Sequence, residues 1–165
     1  MVEKLRDIRK LSKAELKEFF LSQGEKPFRA NQVYEWLWNK SATSFEDMSN
    51  LSKATRELLG NNFIINAVKE YETQVSNDRT VKSSFKLHDN FMVEGVLIPT
   101  PKRMTACISS QVGCSLSCSF CATGKLKRER NLDAAEIYDQ VVMIKNQAEE
   151  KYNAPLTNIV YMGMG

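Results

Sequence analysis

The sequence predicts an α+β region followed by α/β. A small helical domain occupies residues 1–60, antiparallel connecting strands occupy 61–100, and residues 101–165 begin a parallel sheet that is cut short. Three observations predict this. Apolar residues recur at helical spacing behind capping signals in the first third and at every second position in the middle. A strand, loop, helix and strand follow one another in the last third.

Each element has a local cause. Ser12-Lys13-Ala14-Glu15 reads as a capping box, hydroxyl and carboxylate each satisfying the other's free backbone N–H. It opens a helix with Leu16, Phe19 and Phe20 on one face, and Gly24 stops it. After Pro27 a second helix runs from Phe28 to Asn39 with Val33, Trp36 and Leu37 inward, and a third runs from Ser52 to Gly60. Trp36, Trp38, Phe45, Met48 and Leu51 supply the core of this domain.

From Phe63 the period becomes two. Val81, Phe85 and Leu87 alternate with polar residues, and Phe91 and Val93 oppose Met92 and Glu94. Turn segments Ser76–Arg79 and His88–Asn90 separate these runs, and the meander ends at Ile98, before Pro99 and Pro101. Met104 to Ser110 reads as a strand and Gln111 to Arg130 as a long loop. Asp133 and Glu136 cap a helix with Ile137, Val141, Ile144 and Ala148 on one side, and a buried strand spans Asn158 to Met162. A strand, helix and strand in that order imply a parallel pair. Two such strands cannot stand alone, so the chain is expected to be a fragment.

The 165 residues are 42% hydrophobic and 26% charged, ordinary for a soluble globular protein. MVEKLRDIRK lacks the apolar run of a secretion signal. The uncharged stretch from Cys107 to Gly124 is broken by five serines and does not read as a membrane span. A net charge of +3 is too mild to prove a nucleic-acid partner. The one basic block, Lys125 to Arg130, gives a phosphate partner weak support and otherwise reads as a solvated loop.

Three of the four cysteines, Cys114, Cys118 and Cys121, form CxxxCxxC just after a strand. Ser115, Ser117 and Ser119 between them permit a tight wrap around one centre. A structural zinc needs four ligands, the fourth then being Cys107 or His88. A Cys118/Cys121 redox pair leaves Cys114 unexplained. Three sulfurs on a four-iron cluster leave one iron open to a cosubstrate, which accounts for the number three.

The run CISSQVGCSLSCSFCATG, then RNL at 130–132, EI at 136–137 and the final YMGMG, resembles the RlmN/Cfr family of radical S-adenosylmethionine (SAM) adenine methyltransferases. Residues 25–56 are similar to that family's accessory helical domain and 80–98 to its connecting strands. The resemblance implies a partial (β/α) radical SAM barrel and methylation of carbon 2 of adenosine in large-subunit (23S) ribosomal RNA and in tRNA, through a methyl-cysteine and a 5′-deoxyadenosyl radical. It implies a 4Fe-4S cluster on Cys114, Cys118 and Cys121, with SAM on the open iron. Phe120 falls near the SAM adenine, and Gly165 falls at the first residue of a Gly-Glu pair that contacts SAM. Glu94 matches the proton acceptor, and Cys107 the cysteine that releases product as a disulfide forms. The methyl-carrying cysteine lies beyond residue 165, so the fragment itself should not turn over.

The resemblance also implies an electron donor such as flavodoxin or ferredoxin, a cytoplasmic location and a monomer. The alternatives are a carbon-8 methylating antibiotic-resistance relative and a zinc-stabilised RNA-binding module. Two departures stand out: Gly95 where the family usually has threonine, and charged residues 125–129 where it has a glycine.

Overall fold

The computed structural model describes residues 5–116 and 118–165. Ser117, one of the expected small spacers, lies outside them. The chain divides into two compact units, 1–66 and 67–165.

In the first unit, strand β1 (Arg6–Asp7) leads through a 3-10 turn into helix α1 (Lys13–Ser22). The expected capping box is formed. Ser12 Oγ accepts from Glu15 N–H at 3.2 Å, and Glu15 Oε2 accepts from Ser12 N–H at 2.6 Å. Ser12→Ala should therefore cost the unit about 1 kcal/mol, read as a lowered urea midpoint at unchanged slope. Helix α2 spans Phe28–Trp38 and α3 spans Lys53–Asn62. Gly60 does not end α3 as expected. It sits inside the helix against Phe45, whose ring is 3.8 Å from where a Cβ would stand.

Strand β2 (Phe63–Ile64) then returns to pair in parallel with β1. The buried Asp7 fastens this return, accepting from Arg9 N–H at 2.9 Å and Asn66 N–H at 3.1 Å. Ile8, Leu16, Phe20, Val33, Leu37, Met48 and Leu59 make the core. Trp36 and Trp38 cover it from outside rather than filling it.

The second unit is built on a five-stranded sheet. Strands β3 (Lys69–Val75), β4 (Val81–Lys86) and β5 (Met92–Thr100) form an antiparallel meander, and β6 (Arg103–Cys107) continues it. The expected stop at Ile98 is displaced: β5 runs through Pro99 to Thr100 and turns tightly into Arg103. Beyond Leu97 the strand has a ladder on one side only, so a residue without N–H is tolerated there.

The expected long loop carries a short ladder, β7 (Gln111–Val112) with β8 (Arg130–Asn131), and a 3-10 turn at Ala122–Lys125. Helix α4 (Ala134–Tyr152) follows, opened by the Asp133/Glu136 capping box. Strand β9 (Asn158–Val160), shorter than expected, pairs in parallel with β6.

Helix α4 packs on β5 and β6. Ile144 and Ala148 enter a core with Val81, Phe85, Val93, Leu97 and Ala106. Register stays continuous through Gly95, which faces Ser83. A Cβ there would stand 2.8 Å from the Phe85 ring and 3.0 Å from Ile144 Cδ1, so the missing side chain is replaced by close packing of those two.

Candidate active site at the strand ends

Every second residue of β5 points away from α4, and Glu94 and Val96 lie on that opposite face. Cys107 on β6 is directly across from Val96 and therefore shares it. Among the described residues no helix of the second unit covers this face.

Glu94 lies opposite Ser84, and its Oε1 is 2.6 Å from Lys82 Nζ. Glu72, Gln74, Lys82, Ser84 and Glu94 line a small cleft. Cys107 is buried. Burial pushes its thiol pKa up against a weaker opposing hydrogen bond from Met162 N–H, which keeps the group a thiol at neutral pH.

Parallel strands β6 and β9 end side by side. Ser110 N–H and Gln111 N–H both donate to Met164 C=O, at 2.9 and 3.0 Å, and Gly163 N–H donates to Ile108 C=O at 3.1 Å. Two glycines permit this approach. A Cβ at Gly163 would stand 2.6 Å from Ser109 Oγ. One at Gly165, whose φ is +121°, would stand 2.5 Å from Ser110 Oγ. The expected SAM-contacting glycine thus rests on the base of the cysteine loop.

That loop leaves β7 through Gly113 (φ +73°), which sits against the backbone of Lys127 and Arg128. All four cysteines are free thiols, so no resident disulfide is present. Leu116 N–H donates to Cys114 Sγ at 3.4 Å. Gly124 N–H, then Thr123 N–H and the Thr123 hydroxyl, hold the Cys121 thiol below its ordinary pKa, favouring thiolate. Phe120 is 90% exposed at the tip.

Among the described residues no three His, Cys, Asp or Glu side chains stand together as a ready metal site. The donor set still suits a soft iron centre. Three half-buried thiols lie in one eight-residue loop, and two are already hydrogen-bonded through sulfur.

The far end of the loop is tied down by residues read from sequence as a basic block. Arg130 donates from Nη1 and Nη2 to the two oxygens of Glu136, each at 2.8 Å, and from Nε to Asp89 at 2.8 Å. Glu136 is 2% exposed. These acidic partners hold the Arg130 pKa above its ordinary value, the Glu136 bonds outweighing the cost of burial. His88, the alternative zinc ligand, instead has Nδ1 3.5 Å from Glu136 Oε1. Arg130 is thus committed to carboxylates and is withdrawn from the set of phosphate-binding candidates.

Sequence reasoning also passed over Ser109 and Gln140, both completely buried. Gln140 Oε1 accepts from Ser109 N–H at 3.0 Å, and its Nε2 donates to Ser109 C=O at 3.2 Å. The available signal was polar Glu136 and Gln140 in the same i, i+4 stripe of α4 as Ile144 and Ala148.

Residues 6–65 match the family model for the ribosomal RNA large subunit methyltransferase N-terminal domain (RlmN_N). A probable dual-specificity RNA methyltransferase RlmN of Cytophaga hutchinsonii is 67% identical over 158 residues, covering 96% of this chain and 43% of that protein. The dual-specificity RNA methyltransferase RlmN of Geobacter sulfurreducens is 43% identical over 159 residues, covering 96% of this chain and 42% of that protein. The crystal structure of a radical SAM methyltransferase from Sphaerobacter thermophilus superposes with a TM-score of 0.82 at 37% identity, covering 97% of this chain and 47% of that one. The chain spans less than half the length of these relatives. Over 96% of its length the chain is thus similar to RlmN proteins, and its residues 6–65 match the amino-terminal domain of that family.

Proposed function

We propose that the full-length protein methylates carbon 2 of adenosine in large-subunit ribosomal RNA and in tRNA, and that this chain contributes the opening strands of a partial (β/α) barrel. One observation carries the reading. The parallel ends of β6 and β9 hold the cysteine loop against Gly163–Gly165, while Glu94 and Cys107 share the sheet face that α4 leaves open. Ligands of sheets with helices on one side gather at the carboxyl ends of the strands.

Cys114, Cys118 and Cys121 would hold a 4Fe-4S cluster, which when bound with SAM supplies one-electron reductive cleavage of the sulfonium. Gly165, packed against Ser110 and Gln111, would present its backbone to the cosubstrate, and Phe120 offers a ring for stacking on adenine. Glu94, paired with Lys82 across the strand, accepts the ring proton. Cys107, held as a thiol by burial, would form a transient disulfide with the methyl-carrying cysteine as the bond from that cysteine's sulfur to the product carbon breaks. Electrons come from a flavodoxin or ferredoxin. We place the protein in the cytoplasm as a monomer; among the described residues no helix is long and apolar enough to cross a membrane.

Anaerobic reconstitution tests the reading. The full-length protein should take up about four irons with matching sulfide and absorb near roughly 400 nm. Cys114→Ala, Cys118→Ala or Cys121→Ala should each abolish this. A colourless protein retaining one zinc, and losing it with Cys107→Ala, overturns the reading in favour of a zinc-stabilised RNA-binding module.

A further inference from the structure

Ser109 stands where four segments meet. Its Oγ donates to the backbone carbonyl of Glu94 on β5 at 2.6 Å and accepts from Met164 N–H at 2.9 Å. Its own N–H and C=O are both taken by the Gln140 side chain from α4. Gln140 is oriented in turn by donating to Glu136 C=O at 3.2 Å. Ser109 and Gln140 are shut off from water, so each of these bonds lacks a solvent substitute and an unmade one would leave a buried polar group unsatisfied.

The consequence is geometric. A hydroxyl that donates to one strand while accepting from another fixes their separation and their slide. Here the joined parts are the backbone at Glu94 and the backbone between Gly163 and Gly165. We propose that Ser109, locked by Gln140, is a positioning residue that sets the spacing between the SAM-contacting glycine segment and the strand carrying the proton acceptor. This rests on the functional reading above. It adds a residue that touches neither SAM nor RNA but governs where both are held relative to each other.

The test uses the full-length protein, with Ser109→Ala beside Ser109→Cys, which keeps a weak donor and acceptor at the same place. The first readout is amide hydrogen exchange without SAM. Ser109→Ala should speed exchange at Met164 at least tenfold and leave Ile108, bonded to Val160 C=O, protected. The second is the SAM dissociation constant of the anaerobically reconstituted protein. It should rise about tenfold in Ser109→Ala, equivalent to roughly 1.4 kcal/mol, with unchanged iron content, and recover in part in Ser109→Cys. Unchanged Met164 exchange and SAM affinity in Ser109→Ala overturn the proposal. So does a parallel loss of iron, or unfolding of Ser109→Ala while Ser109→Cys behaves as wild type in both readouts, since each marks a purely structural serine. A wild-type protein that binds neither iron nor SAM sinks the functional reading instead, and the Met164 exchange result still judges the coupling.

Discussion

Replacing Arg130 with methionine is expected to lower the stability of the second unit by about 3 kcal/mol and to free the far end of the cysteine loop. The substitution keeps much of the side chain's length but removes the guanidinium. It leaves Glu136, 2% exposed, with a buried charge and only the Asp133 N–H and the more distant His88 ring beside it. Asp89 loses its 2.8 Å partner as well. Removing both charges should be milder than removing one. Arg130→Met combined with Glu136→Gln should recover part of the loss, because the neutral amide can still accept from Asp133 N–H.

The dependence on pH has a definite sign. Burial pushes the Asp89 carboxyl up, but its bonds to Arg130 outweigh that and hold it below the usual range. A depressed folded pKa contributes stability that is present above the unfolded value and lost as pH falls through the folded one. Wild type and Arg130→Met should therefore differ fully at neutral pH and converge in strong acid. Urea unfolding at a series of pH values checks both statements, and a constant difference down to acid pH would contradict them.

Gly113→Ala is expected to reduce cluster loading steeply. At φ +73° an alanine costs roughly 1–2 kcal/mol in backbone strain alone. Its Cβ would also overlap the carbonyl oxygen of Lys127 and stand 2.8 Å from the carbonyl carbon. Neither obstacle is a side chain that can rotate away, so the backbone on one side of the loop must move. Gly24→Ala isolates the first effect, since Gly24 has nearly the same φ, +72°, with nothing within 4 Å of the new Cβ. Gly24→Ala should lose stability modestly and keep wild-type iron content. Gly113→Ala should lose more stability and most of its iron. Equal iron contents in the two variants would mean that the contact with Lys127 is irrelevant to how the loop closes.

Features written in nearby residues were readable from the sequence. Both capping boxes are four-residue signals, and both form. The alternation of Val81, Phe85 and Leu87 with polar residues reports a sheet with one covered face, and all three are buried. What escaped depends on partners far along the chain. Arg130 counts as one more cation in a basic run until Asp89, 41 residues earlier, and Glu136 are brought to it. Pro99 looks like a stop until β6 folds back and shows which side of the strand needs donors. The SSQ of the motif was visible as text, but its meaning lies in Gln140, 31 residues on, and in Met164, 55 residues on. The cysteine spacing announced soft-metal chemistry by composition alone, and how the loop is held open came only from the glycines and ion pairs around it.

The two margins of the five-stranded sheet differ in a way that determines how it can grow. Strand β3 presents Lys69, Glu70 and Glu72 along a solvent-exposed margin, and rows of charge discourage another strand from docking. Strand β9, at the other margin, offers Ile159 and Val160 with few charges to repel a newcomer. Enlargement of the sheet is therefore directed beside β9, in the sense of continued parallel winding.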